Sequence, residues 1–173
     1  RGMVRRLARC WLPSTGRLTV HVVPFTASQE GLRRSCPEEL FTIIMRRFMM
    51  RISQEVAKRC GAKALVTGEC LGQVASQTMD AMLCTGAVVQ LPILRPCVGM
   101  DKEEIGQISR RIGNYDTSIL PYEDCCTVFT PRHPRLRPIL SEVEAAEAGL
   151  DIEGLVKAAV DGIERIQLPP AHE

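Results

Sequence analysis

Short apolar runs alternate with segments of helical period along this chain, and that alternation limits the possible folds more than any single motif does. Leu18 to Val23 reads as a strand closed by Pro24. Pro37, Glu38 and Glu39 then open a long helix that runs to about Cys60, with Ile43, Ile44, Phe48, Ile52 and Val56 on repeating turns and Gly61 as its stop. Ala64 to Thr67 is a brief strand, Gln73 to Cys84 a helix, and Leu91 to Leu94 another strand. Asp101 to Ile112 is a helix with Asp101 as N-cap and Glu104 completing a capping box. Strand, helix, strand, helix predicts the α/β class, with a mostly parallel sheet flanked by helices. Before these elements, Gly2 to Leu12 has helical spacing and ends at Pro13 to Gly16. After them, Ser141 to Glu144 starts an acidic helix, Ile152 to Asp161 forms a second, and Ile163 to Leu168 a final strand.

A chain of 173 residues with 45% hydrophobic content is long enough for one domain with a real core, over 1–173 with a frayed tail at 169–173. Only 4% of residues are aromatic, which argues against an autonomous RNA module built on base stacking. The net charge is +2, yet arginines come in groups: Arg1, Arg5, Arg6 and Arg9, then Arg46, Arg47 and Arg51, then Arg132, Arg135 and Arg137. Such groups are either phosphate-binding faces or solvated helix surfaces. Eight cysteines, with no signal-peptide pattern and no apolar run long enough to span a bilayer, lead to the expectation of a reducing cytoplasmic location and no membrane role. Six are singletons, read mostly as small core residues, and none forms the C-x-x-C pair that would indicate metal, so no metal site is expected.

Two places stand out for chemistry. The strand at Ala64 to Thr67 delivers the chain directly into Gly68-Glu69-Cys70-Leu71-Gly72, and glycines at a strand end suit a backbone approached by a ligand. Residues 114–138 carry Pro121, Pro131, Pro134 and Pro138 with little periodicity, so they read as a long functional loop, and it holds the adjacent pair Cys125 and Cys126. By themselves, Gly68, Gln77, Arg46 and Lys102 are better read as a cap glycine, a surface amide, a solvated arginine and an exposed lysine.

The run Val66-Thr67-Gly68-Glu69-Cys70-Leu71-Gly72-Gln73-Val74-Ala75-Ser76-Gln77-Thr78 resembles the T-G-E-x-L-G-Q-x-x-S-Q-T signature of tRNA 4-thiouridine synthetases, enzymes that also serve thiamine biosynthesis. Arg95-Pro96 with Met100 to Ile105, and Leu120 to Pro131 around Cys125, are similar to the next two blocks of that family in the same order, so the likeness covers roughly Leu18 to Ser141. The resemblance implies an adenine nucleotide alpha-hydrolase fold. It also implies that the parent protein uses ATP, with Mg2+, to adenylate uridine 8 of tRNA before delivering sulfur. Its partners would be tRNA and a cysteine desulfurase as persulfide donor, with a thiamine sulfur-carrier protein as a further candidate. The family's S-G-G-x-D-S loop does not occur in this sequence, so the resemblance implies a fold incomplete at its N-terminus and a fragment inactive alone. Apolar edges left by missing strands lead to the expectation of a homodimer.

Carried over by residue, the resemblance assigns nucleotide contacts to Arg46, Gly68 and Gln77, a phosphate contact to Lys102, and sulfur transfer to Cys125. Cys126 departs from the family's pattern and is a rival or resolving thiol. Two other classes remain open: another ATP pyrophosphatase-type tRNA thiolase, and a non-catalytic module that binds tRNA or a sulfur carrier.

Overall fold

The computed structural model describes residues 2–121, 131 and 133–169. They form two compact units, one from 2–23, 101–121 and 163–169, the other from 24–100, 131 and 133–162. The class is α/β.

In the first unit, α1 (Gly2–Arg9) is followed by α2 (Leu12–Thr15) and β1 (Leu18–Val22). Pro13 lies at the start of α2, where its missing N–H costs nothing, so it opens a second short helix rather than only closing the first. β1 pairs with β4 (Glu164–Leu168), and the pair is antiparallel, with Leu18 opposite Leu168 and Val22 opposite Glu164. The alternation of β1 turns Leu18 and Val20 to one face, where they pack with Ile166 on buried Ala8, Leu12 and Leu168. A strand order read along the chain cannot register this pairing, because β1 and β4 lie at opposite ends of the sequence. The same unit holds α6 (Lys102–Arg111) and α7 (Tyr115–Ser118). The capping box of α6 is formed as expected: Glu104 N–H donates to the Asp101 carboxylate and Asp101 N–H to that of Glu104, each at 2.8 Å. Arg110 stacks over the Tyr115 ring at 4.1 Å.

The second unit is organised around α4 (Phe41–Cys60), which Gly61 ends in the left-handed conformation at φ 69°. A turn of 3₁₀ helix at Glu38–Leu40 leads into it. Phe41, Ile44, Met45, Phe48 and Ile52 recur at helical spacing and are buried. Around it pack α3 (Thr26–Ser35), α5 (Met79–Gly86), α8 (Leu140–Glu147), α9 (Ile152–Asp161) and β2 (Leu65–Val66). α3 has no counterpart among the expected elements, since its buried face is Ser28, Gln29 and Leu32, with a single large apolar residue to show a period. β2 pairs in parallel with β3 (Ile93–Leu94), the arrangement the alternation predicts. The helix expected over Gln73 to Cys84 is divided. Ala75–Gln77 is a 3₁₀ turn, and α5 starts only at Met79, because Thr78 is extended and its hydroxyl accepts the N–H of Ala81 as an N-cap.

Arg47 is inside this unit, 2% exposed, and it joins three helices. Its Nε and Nη2 donate to the Glu147 carboxylate at the end of α8, at 3.1 and 2.6 Å. Its Nη1 donates at 2.7 Å to the Cys84 carbonyl, one of the last-turn acceptors of α5 that the helix itself leaves unpaired. Arg51, one turn on, donates to the same carboxylate. Burial pushes the Glu147 carboxyl up, but the hydrogen bonds and charges of Arg51 and Arg47 outweigh it and hold the group below the usual carboxylate range.

Removing one partner of such a cluster leaves buried charge uncompensated, so Glu147→Ala is expected to destabilise the chain by about 3 kcal/mol or more. Urea unfolding at neutral pH measures this, and a loss below about 1 kcal/mol would contradict the role given to the cluster. The stabilisation by Glu147 is complete above the ordinary glutamate value of about 4.3 and is lost as pH falls through the depressed folded value. Glu147→Gln should therefore be less stable at neutral pH and lose this part of the acid dependence.

Candidate functional site

Beyond the carboxyl ends of parallel strands is where open α/β sheets bind ligands. The segment leaving β2 is Thr67 to Thr78. Gly68 opens it, exposed, and a Cβ built there would meet no atom within 4 Å, so its backbone faces open space. The next residue, Glu69, turns inward and is 4% exposed. Its Oε1 accepts from Arg46 Nη2 at 2.6 Å. Its Oε2 accepts from Arg95 Nε at 2.6 Å and from the Thr67 hydroxyl at 2.9 Å. Arg95 directly follows β3, so one carboxylate ties the ends of both parallel strands to α4. Burial raises the Glu69 carboxyl, while the hydrogen bonds from Arg95 and Thr67 and the charges of Arg46 and Arg95 prevail and lower it, so it is ionised at neutral pH.

The rest of the segment is pinned by its own members. Arg46 Nη1 donates to the Ser76 hydroxyl at 3.3 Å, Cys70 N–H donates to Gln77 Oε1 at 3.0 Å, and Gly72 N–H to the Gln77 carbonyl at 2.9 Å. Arg46 is thus held from two sides and still 23% exposed, and Gln77 spends its amide oxygen on the loop, keeping its amide nitrogen as the end with donors to offer. The solvated arginine and idle surface amide that the sequence allowed are not what the fold makes of these two residues.

Both line a cavity of about 410 Å³, with Thr42, Ile43, Ser76 and Pro131 among its other walls. In its wall Arg135 pairs with Glu39 at 2.6 Å, and Arg135 N–H donates to the Glu39 carbonyl at 3.1 Å. The Thr78 hydroxyl donates to the Leu136 carbonyl at 2.8 Å, fixing the chain after Pro134 against the same loop. A cavity of this size, with apolar residues such as Ile43 and Val74 beside polar and charged ones, has room for one ring system, and the guanidinium of Arg46 adds a contact for an anion. A second cavity, of about 400 Å³ between α4 and α9, is lined by Arg51 but by none of Arg46, Gly68, Gln77 or Lys102.

Arg46, Gly68 and Gln77 therefore belong to one neighbourhood in one unit. Lys102 is the first residue of α6 in the other unit, exposed, in a first helical turn whose orientation favours anions. Cys125 and Cys126 lie outside the described residues. Among the six described cysteines only Cys70 and Cys84 are buried, whereas Cys10 and Cys60 are exposed, so the expectation of core cysteines holds for fewer than supposed. Burial pushes the thiols of Cys84 and Cys36 up, with Glu147 adding to the effect at Cys36. Glu69 and Arg95 were quoted in the sequence motifs without a role. A glutamate after a strand-end glycine carries no signal that it is buried between two arginines distant in sequence.

The match to known proteins is extensive. The family model for thiamine biosynthesis protein (ThiI) matches residues 1–152. A probable tRNA sulfurtransferase of Brevibacillus brevis is 54% identical over 157 residues, covering 91% of this chain and 39% of the relative. One from Acetivibrio thermocellus is 51% identical over 148 residues, covering 86% and 38%. The crystal structure of a 4-thiouridine synthetase–RNA complex with bound ATP superposes with a TM-score of 0.91 at 34% identity, over 96% of this chain and 44% of that one. The chain thus spans about two fifths of the length of the curated relatives it matches. With its α/β fold, its strand-end loop and the three sequence blocks in order, the chain belongs to the ThiI family of thiamine biosynthesis proteins.

Proposed function

We propose that this chain supplies the nucleotide-facing part of an ATP-dependent tRNA sulfurtransferase that adenylates uridine 8 and inserts sulfur to give 4-thiouridine. The observation that carries the reading is the convergence of Arg46 and Gln77 on one cavity, with Gln77 in the segment that leaves β2 through Gly68. Gly68 lets the nucleoside approach the main chain, Gln77 offers amide donors, and Arg46 presents a fixed cation to the phosphates. Mg2+ would accompany the triphosphate, held by the nucleotide itself; the described residues contain no group of three or more potential metal ligands. The known complex of a 4-thiouridine synthetase with RNA and ATP supports both ligand classes.

The chemistry divides between two groups of this chain. Lys102 is assigned to the charge that develops as pyrophosphate leaves ATP and the uridine C4 oxygen takes the adenylyl group. Cys125 is assigned to sulfur delivery: the terminal sulfur of its persulfide attacks C4 and AMP departs, and a second thiolate, that of Cys126 or of an added thiol reductant, then attacks the Cys125 sulfur of the resulting C4–S–S–Cys125 bridge, so that 4-thiouridine leaves and a disulfide is left on Cys125. Charging of that thiol by a cysteine desulfurase, delivery of sulfur to a thiamine sulfur-carrier protein, a cytoplasmic location and a homodimer complete the reading. Among the described residues no helix is long and apolar enough to cross a membrane.

Gly68→Val is expected to leave folding nearly unchanged, within about 0.5 kcal/mol, since its side chain enters open space, while nucleotide binding by the complete gene product falls steeply. Calorimetry with ATP reads this, and unchanged affinity would remove Gly68 from the site. Lys102→Ala should abolish tRNA adenylation in a folded protein; adenylation at near wild-type rate would return Lys102 to a solvated surface role. Thiolation of tRNA with a cysteine desulfurase and ATP separates Cys125 from Cys126. Loss in Cys125→Ser alone supports the assignment, loss in Cys126→Ser as well supports exchange between two thiols, and full activity of Cys125→Ser overturns it.

A further inference from the structure

Arg46 poses an electrostatic problem for the nucleotide reading. A cation meant for a phosphate is here already in contact with a buried carboxylate at 2.6 Å, and a simple one-to-one pair would present a neutral face to the cavity. The geometry around Glu69 removes the difficulty. Its second oxygen is taken by Arg95, so two guanidiniums share one anion and the cluster keeps one positive charge. All three members are largely withdrawn from solvent, at 23%, 4% and 21% exposure for Arg46, Glu69 and Arg95, so the remaining charge is weakly screened. Arg95 is absent from the cavity wall, whereas Arg46 forms part of it.

We infer that Glu69 and Arg95 are positioning residues for the nucleotide site: Glu69 fixes the orientation of the Arg46 guanidinium, and Arg95 offsets the carboxylate charge so that Arg46 still attracts an anion. Thr67 and Ser76 complete the mount, the first on Glu69 Oε2 and the second on Arg46 Nη1. A rotamer fixed in this way loses little further entropy when a phosphate binds, which is the advantage of preorganisation. The inference rests on the assignment of Arg46 to the nucleotide. It adds the requirement that charge at residue 95, on the far side of Glu69, reaches the ligand through the shared carboxylate.

The contact of Arg95 with Glu69 is a single Nε–H donor, not a two-pronged fork, so lysine can replace its charge where glutamine cannot. In the complete gene product, Arg95→Gln is expected to raise the KM for ATP about tenfold at nearly unchanged kcat, the signature of lost binding that is equal in ground and transition states. Arg95→Lys should return KM to within about threefold of wild type. Thermal unfolding of both variants establishes that they are folded. A purely structural arginine would give a lowered melting temperature without the KM split and without rescue by lysine.

Arg46→Ala, measured alongside, separates this inference from the reading beneath it. If Arg46→Ala raises KM and Arg95→Gln does not, the inference is overturned and the nucleotide reading stands. If neither raises it, both fall. If Arg95→Gln raises KM while Arg46→Ala is silent, transmission through Glu69 to Arg46 is wrong. A rise in both, with rescue by Arg95→Lys, is the expected result.

Discussion

Two consecutive arginines on α4 meet two buried carboxylates, and much of the second unit depends on those pairings. Successive residues on a helix point about 100° apart, so Arg46 and Arg47 leave the same turn in different directions. Arg46 reaches Glu69 past the end of β2, and Arg47 reaches Glu147 at the end of α8. A buried carboxylate without a partner is costly, and so is a buried guanidinium, so each pairing fixes which element lies on which side of α4. The rest of the packing is apolar and less directional: Phe48, Ile44 and Leu32 are buried by contact with whatever neighbours supply area. Charge supplies the specificity that area does not.

The two clusters differ in what they leave over. At Glu147 two arginines converge on one carboxylate, and Arg47 also satisfies the Cys84 carbonyl; its side chain is buried and fully engaged. That cluster joins helices. At Glu69 the arginines come from separate elements, and Arg46 keeps an exposed edge in a cavity. The same chemical motif, one carboxylate between two guanidiniums, serves cohesion in one place and leaves a cationic edge open to a cavity in the other, and exposure makes the difference.

The cysteines show a related division. Cys84 and Cys36 are held as protonated thiols by burial, which suits packing and disfavours nucleophilic attack. The sulfur transfer proposed for Cys125 would need a thiolate free to reach a base, which buried thiols such as Cys84 do not offer. Pro131, Pro134 and Leu136, at the far end of the segment that carries Cys125, are placed at the cavity and against Thr78, so the chain returns from that segment beside the proposed nucleotide site.

The sequence by itself determined the local elements whose causes are local. Gly61 ends α4 because only a glycine adopts φ 69° without strain, Asp101 and Glu104 cap α6 from within four residues, and β2 and β3 were legible from short apolar runs. It also marked Arg46, Gly68 and Gln77, but only through likeness of a motif, since each alone had an ordinary explanation. Tertiary structure decided what depends on contacts between distant segments. β1 found β4 across nearly the whole chain and in antiparallel register; α3 formed with almost no apolar period because α4 covers its polar buried face; Glu69 became the hub between Arg46 and Arg95. Local steric and capping preferences act over a few residues and can be read there, whereas the worth of a charge depends on what surrounds it after folding.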